Sequence, residues 1–212
     1  MNLAYFNDFM EEYSIANGET DVVIKCHNIR QDESSLVVNF ITSNNYLWEK
    51  YIENMEDDAT LALDATYNTN VENFCVWLFG ILLKNSSFQP VGEMVSSHET
   101  TDDMKYLLQA IKDASKKDPK YVMADGAQSI SKVVSEVFPT SIRLMCWFHV
   151  AQNLKKQGSS LKRHKDEPEL WPELWGDICR LQKLSLDAES KEKLFELLKD
   201  KWFDYTDDKV KR

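Results

Sequence analysis

Two short apolar runs in this chain end in an aspartate. Thr60-Leu61-Ala62-Leu63-Asp64 leads into Ala-Thr-Tyr-Asn-Thr-Asn, and Tyr121-Val122-Met123-Ala124-Asp125 leads into Gly-Ala-Gln-Ser-Ile. A buried strand that stops at a carboxylate leaves it at the edge of a sheet, where a metal or substrate can reach it. If two such strands are neighbours, two hard oxygen ligands meet. That is the minimum needed to hold Mg²⁺ or Mn²⁺ against a phosphate. Each aspartate also has a plainer reading. An aspartate after a strand is often a turn former, and Asp125 stands where it could cap a helix opening near Ala127.

Other residues invite weaker readings. Cys146 and His149 have the separation of half a zinc site, but a closed structural zinc needs four ligands. Cys26-His27 could in principle supply the others, whereas Cys179 and His164 lie in unrelated contexts, so zinc is not expected. Packing and hydrogen bonding come first for this Cys-x-x-His pair, with a local role near the site as the alternative. Lys155, Lys156, Lys162, Arg163 and Lys165 form a basic run with no acid until Asp166. Such a run can meet a phosphate backbone, or it can be a solvated helix and loop.

The elements must place these residues. A chain of 212 residues with 43% hydrophobic content, 10 Phe, 8 Tyr and 6 Trp can bury a real core. The longest apolar stretch, Phe74 to Leu83, is too short to span a bilayer, and no basic, apolar leader opens the sequence. Four widely spaced cysteines are the usage of a reducing compartment. The net charge of −10 is uneven: residues 1–58 carry 12 acids and 3 bases, while residues 59–212 carry 23 and 22. The acidic total therefore does not exclude a nucleic-acid partner.

Residues 1–35 read as polar and acidic. Leu36 to Thr42 reads as a strand, and Tyr46 to Met55 has helical spacing. Strands are expected over Thr60–Tyr67, Phe74–Leu83 and Gln89–Ser97. A helix follows with Thr101 as its cap and Met104, Leu107, Leu108 and Ile111 as its apolar stripe. Tyr121–Ala124 is a fourth strand of this series, Ala127–Phe138 a helix stopped by Pro139, and Ser141–Cys146 a fifth strand. A helix starts near His149, and from Gly158 the spacing is helical throughout. Three strands followed by strand–helix–strand crossovers predict an α/β fold with a mixed sheet covered by helices.

Four ordered pieces of residues 60–153 resemble the catalytic core of Mutator-like element (MULE) transposases. They are Leu63-Asp64-Ala65-Thr66-Tyr67-Asn68-Thr69-Asn70; Pro90-Val91 through Glu99-Thr100; Met123-Ala124-Asp125-Gly126-Ala127; and Val137-Phe138-Pro139 followed by Cys146-Trp147-Phe148-His149-Val150 and Asn153. The resemblance implies a ribonuclease-H-like mixed sheet with a C-terminal helical insertion. It also implies catalysis by Asp64 and Asp125 as ligands of a two-metal Mg²⁺ or Mn²⁺ site. The activity implied is metal-dependent DNA cleavage and strand transfer, with DNA as partner, possible self-association, no membrane role, and work in the nucleus of a eukaryote or the nucleoid of a bacterium. Cys146 and His149 belong to the family's signature without an assigned role, and Gly126 is expected to let the backbone turn sharply beside the metal. The organisation expected is an acidic segment with one strand and one helix over 1–58, the transposase core over 59–157, and a helical insertion over 158–212.

The family's third acid is a glutamate on a late helix, in an Asn-x-x-Glu-Ser-x-Asn context that this sequence lacks. Glu167, Glu169 and Glu173 stand in a stretch punctuated by Pro and Trp. Glu189, Glu192 and Glu196 interleave with lysines as surface ion-pair formers do. The expectation is a truncated insertion and a weak metal site, inactive alone. Other readings are a DNA- or protein-binding module that keeps the fold without catalysis, a haloacid-dehalogenase-like phosphotransferase, and an α/β domain with no active site. The dehalogenase motif requires an aspartate two residues after the first, where this chain has Thr66.

Overall fold

The computed structural model describes residues 22–31, 36–66, 70, 73–161, 170–184 and 188–210. The expectations for residues 1–21 and for Tyr67, Asn68 and Thr69 lie outside them. The chain divides into two compact units, Met1–Val150 and Ala151–Arg212.

The first unit is built on a mixed sheet of seven strands. They are β1 (Val22–Gln31), β2 (Leu36–Asn44), β3 (Thr60–Thr66), β4 (Cys75–Leu82), β5 (Phe88–Ser96), β6 (Tyr121–Ala124) and β7 (Ile142–Met145). Their order across the sheet is β1-β2-β5-β4-β3-β6-β7. Pairings from β1 to β3 are antiparallel, and β3–β6 and β6–β7 are parallel. The parallel pairs need crossover connections. These are α2 (Thr101–Ser115) between β5 and β6, and α3 (Gln128–Val137) between β6 and β7.

Alternation along β3 turns Leu61 and Leu63 into the core and leaves Asp64 exposed. Those leucines join Phe79 and Ile81 of β4, the α2 stripe of Met104, Leu107, Leu108 and Ile111, and Val133, Val134 and Val137 of α3 in one buried cluster. Trp48, Ile52 and Met55 close the same cluster beside β3 and β4. The expected helix over 46–55 is a four-residue α1 (Asn45–Trp48) continued by a π-helical turn over Glu49–Glu53.

Three expectations need correction. The N-terminal segment carries two strands, and both extend the sheet of the core, with β1 on its outer edge. The cap of α2 is Thr100, one residue earlier than expected, because Thr100 and Asp103 form a reciprocal capping box. Gly126 has no positive φ, so its turn needs no glycine conformation.

The described residues of the second unit are helical almost throughout. The chain continues through α4, which begins in the first unit (Trp147–Leu161), to α5 (Leu170–Lys183) and α6 (Ala188–Val210). Asp177 of α5 accepts hydrogen bonds from Lys201 and Trp202 of α6.

Candidate functional site

The parallel β3–β6 ladder pairs Thr60 with Tyr121, Leu61 with Val122 and Ala62 with Met123. Carried two places further, the same register sets Asp64 beside Asp125. Paired residues on neighbouring strands share a face, and such strands run about 4.8 Å apart. Each aspartate follows the last buried apolar residue of its run, Leu63 or Ala124. Asp64 therefore lies near the carboxyl end of β3, and Asp125 just past that of its parallel neighbour β6.

The two carboxylates line one cavity of about 380 Å³. Its walls come from the strand ends (Leu63, Ala65, Trp77, Ala124), the entry to α2 (Glu99, Thr100, Thr101, Met104), the start of α3 (Ala127, Ser129, Ile130) and His149 of α4. The Asp64 side chain is 59% exposed, so its oxygens are open to solvent. One Asp125 oxygen accepts the Ala127 N–H at 2.6 Å, a turn that ends β6 and leads into α3. The N-cap position of α3 is Ala127 itself, without a side-chain cap.

Arg143 of β7 holds the backbone of this corner. Its guanidinium donates to the carbonyls of Val122 at 3.3 Å, Leu144 and Asp125. Burial pushes the Arg143 guanidinium below its usual value, and the neighbouring Asp125 carboxylate opposes that shift.

His149 stands with its Nε2 3.6 Å from Asp64 Oδ1. That is an ion-pair distance when the ring is protonated, and too long for a hydrogen bond. Its Nδ1 is buried without a partner. Cys146 immediately precedes α4; its N–H donates to the Ala124 carbonyl at 2.8 Å and its carbonyl accepts from Val150 at 3.1 Å. The signature pair thus straddles the start of α4, with the cysteine tying β7 to β6 and the histidine on the cavity wall. All four cysteines carry free thiols.

Lys155 and Lys156 are exposed on α4, and Lys155 Nζ lies 5.0 Å from the centre of the Trp175 ring. Lys162, Arg163 and Lys165 lie outside the described residues, as do Glu167 and Glu169. Glu173, Glu189 and Glu196 pair with Lys201, Lys193 and Lys199.

Sequence reading missed the cavity roles of Glu99, Trp77 and Ser129. Glu99 had a usable signal, since it sits just before a helix that follows a strand. Trp77 had none, because its place depends on pairing with Ala65 across β3–β4. Among the described residues, no group of three or more His, Cys, Asp or Glu side chains is arranged to hold a metal. The oxygen pair still suits a hard cation of the Mg²⁺ kind, which typically takes one or two protein carboxylates and fills its other positions with water and phosphate oxygens.

The first unit is thus a mixed α/β domain with an acidic cavity at the carboxyl ends of two parallel strands. Residues 60–153 match the family model of the MULE transposase domain, which supports assigning this segment to that family. The match spans β3 through the first half of α4 and includes both aspartates, Cys146 and His149. The chain is also 29% identical over 98 residues to the PKS-NRPS hybrid synthetase cheA of Chaetomium globosum. That match covers 44% of this chain and 2% of the synthetase. No described helix is long and apolar enough to cross a membrane.

Proposed function

We propose that the MULE domain is a metal-dependent DNA-cleaving centre of transposase type on a ribonuclease-H-like sheet, with Asp64 and Asp125 as its metal ligands. The observation that carries the reading is the single cavity lined by both Asp64 and Asp125, inside the family-matching segment. The sheet order β5-β4-β3-β6-β7, antiparallel through β3 and parallel beyond it, supports the fold. It matches three consecutive strands followed by two crossovers.

In this reading Asp64 and Asp125 hold Mg²⁺ or Mn²⁺, which when bound supplies Lewis-acid charge to a DNA phosphate. Asp125 is oriented by its bond to Ala127, and the Arg143 contacts fix the strand end behind it. His149 places a ring nitrogen beside Asp64 and narrows that carboxylate's freedom. The core domain runs over 59–157 and the helical region over 158–212. DNA is the partner, with self-association at transposon ends and a nuclear or nucleoid setting. Lys155 and Lys156 contribute a second, electrostatic contact to the DNA backbone.

A second reading keeps the fold and DNA binding without cleavage. It is favoured by the missing trio of ligands among the described residues. A plasmid-nicking assay in Mn²⁺ separates the two. If the pair suffices for residual cleavage without the third acid, the parent chain nicks slowly and Asp64→Asn and Asp125→Asn lose about 100-fold or more of that rate, the scale of a lost transition-state charge contact. Nicking no faster in the parent than in the variants would refute cleavage. Retention of duplex DNA by all three proteins would then support the binding module.

A further inference from the structure

Two large apolar side chains are left in water at the edge of the site. Met145, the last residue of β7, is 58% exposed, and Phe148, the second residue of α4, is 63% exposed. Each touches the residues that frame the cavity. The end of the Met145 side chain lies 2.8 Å from where a Cβ on Gly126 would stand, so it rests against the turn made by Asp125, Gly126 and Ala127. The Phe148 ring meets the His149 ring edge-on, with centroids 5.6 Å apart and planes at 80°. His149 lines the cavity and stands 3.6 Å from Asp64. Met145 thus adjoins the Asp125 side of the pair, and Phe148 adjoins the Asp64 side through His149. An edge-on neighbour covers at most one face of the Phe148 ring. Such groups gain nothing from a metal or a phosphate. They gain from a flat, polarizable group carried next to a phosphate, and a nucleobase is that group.

We infer that Phe148 and Met145 form an apolar platform for one unstacked nucleobase beside the Asp64–Asp125 pair. The inference rests on the DNA reading above. The bases of an intact duplex are hidden in their stack, so the platform selects DNA that is opened locally, at a bulged or mispaired base or a frayed end. Every base has a flat face, so the four bases are distinguished little, and the choice is between open and paired. The contact is apolar. It therefore needs no metal, and unlike a phosphate contact it does not weaken as salt rises. It also offsets the cavity's own charge, since Asp64, Asp125 and Glu99 on its walls repel a phosphate that arrives without a cation.

The test uses the whole chain and three labelled duplexes, with binding followed by fluorescence anisotropy at low and high salt. One duplex carries a single unpaired adenine at its centre, one carries an abasic residue in that place, and one is fully paired. The first two share every phosphate, so the ratio of their affinities isolates the base. The parent is expected to bind the unpaired adenine about tenfold tighter than the abasic site, the scale of one stacked base, with the same ratio at both salt concentrations. Phe148→Leu keeps the apolar bulk but removes the ring, and it should bring the ratio close to one. Phe148→Trp should retain the ratio, and Met145→Ala should lower it partway. Both side chains are exposed, so melts of these variants should follow the parent; if Phe148→Leu melts early, Phe148→Trp and Met145→Ala decide. Equal binding of the two bulged duplexes by the parent overturns the platform. So does a ratio that survives Phe148→Leu, which would mark a general apolar contact in place of stacking. A parent that binds none of the three duplexes overturns the platform and the DNA reading together. A ring-dependent ratio in a chain that does not nick plasmid upholds the platform and refutes cleavage alone.

Discussion

Asp103 is the side chain on which the α2 wall of the cavity most depends. It is wholly buried, although its side chain is a carboxyl group. Its carboxylate accepts from the Thr100 N–H at 3.0 Å, the Thr100 hydroxyl at 2.6 Å and Asn39 Nδ2 at 2.8 Å. Asn39 lies on β2 and is itself fully buried, and its Oδ1 already lacks a partner. Asp103→Ala therefore does three things. It breaks the capping box, costing about 1 kcal/mol. It leaves the Asn39 amide N–H buried and unmet, costing about 1–3 kcal/mol. It also removes a negative charge from the helix N-terminus, costing about 0.3–1 kcal/mol. Some of this overlaps, and a net loss of about 3 kcal/mol is expected, a large share of the roughly 5–15 kcal/mol that holds a domain together. For a chain of this length that lowers the melting midpoint by about 6–12 °C. Asp102→Ala, one residue away and exposed, should cost about 0.5 kcal/mol through the dipole alone. Circular-dichroism melts of both variants decide. Midpoints for Asp103→Ala and Asp102→Ala that agree within 2 °C, on the order of one small contact, would refute the claim that the buried network holds α2.

Asp118 tests the electrostatics of the α2–β6 loop. Burial raises its carboxyl, but hydrogen bonds from Lys112 and Thr140 outweigh that and hold it below the usual value. A depressed carboxylate stabilises the fold above its unfolded pKa of about 3.9, and that contribution is lost as pH falls through the folded value. Asp118→Asn should thus cost about 1–2 kcal/mol in urea unfolding at pH 7, with the gap closing below pH 4; a gap that stays constant to pH 3 would contradict the assignment. Gly126→Ala should change stability by less than about 0.5 kcal/mol, because its φ is not positive and an added Cβ meets only the end of the exposed Met145 side chain, at 2.8 Å. Gly92→Ala should cost several-fold more, since there the Cβ would lie 2.4 Å from the Thr42 carbonyl oxygen; equal melting of the two glycine variants would refute the packing argument.

The strands that carry the aspartates were legible because each is a short apolar run with a polar stop, and burial on at least one face enforces that pattern. The stripe of α2 was legible for the same reason: Met104, Leu107, Leu108 and Ile111 are all buried. Strand β1 was not legible. It lies at the sheet edge, and its positions 24–29 are all half-buried, so Lys25, His27 and Asn28 interrupt any clean alternation. The α1 region kept helical spacing in sequence but widens to a π turn at Glu49–Glu53, where Trp48 and Ile52 both reach the core. The cavity was half legible. Two aspartates announce themselves by local context, whereas Trp77, Ser129 and Glu99 meet them only through strand pairing and crossovers. No spacing along the chain encodes that meeting.

Asp125 forms a turn and does not cap α3, and the two remaining readings, turn former and ligand, are not alternatives in this geometry. A carboxylate has two oxygens and about four acceptor sites, and the bond to Ala127 uses one of them. The local turn then orients the side chain, and the charge remains available to the cavity. Asp64 has no such tether and is the more exposed of the pair. The two substitutions at position 125 consequently carry different information. Asp125→Asn keeps an oxygen for the Ala127 N–H and removes only the charge. Asp125→Ala removes the turn-forming bond as well. Lost nicking with an unchanged melt in Asp125→Asn assigns the charge to chemistry. A melt lowered equally by Asn and Ala would mean that the charge itself stabilises the turn, and the site reading would then rest on Asp64 alone.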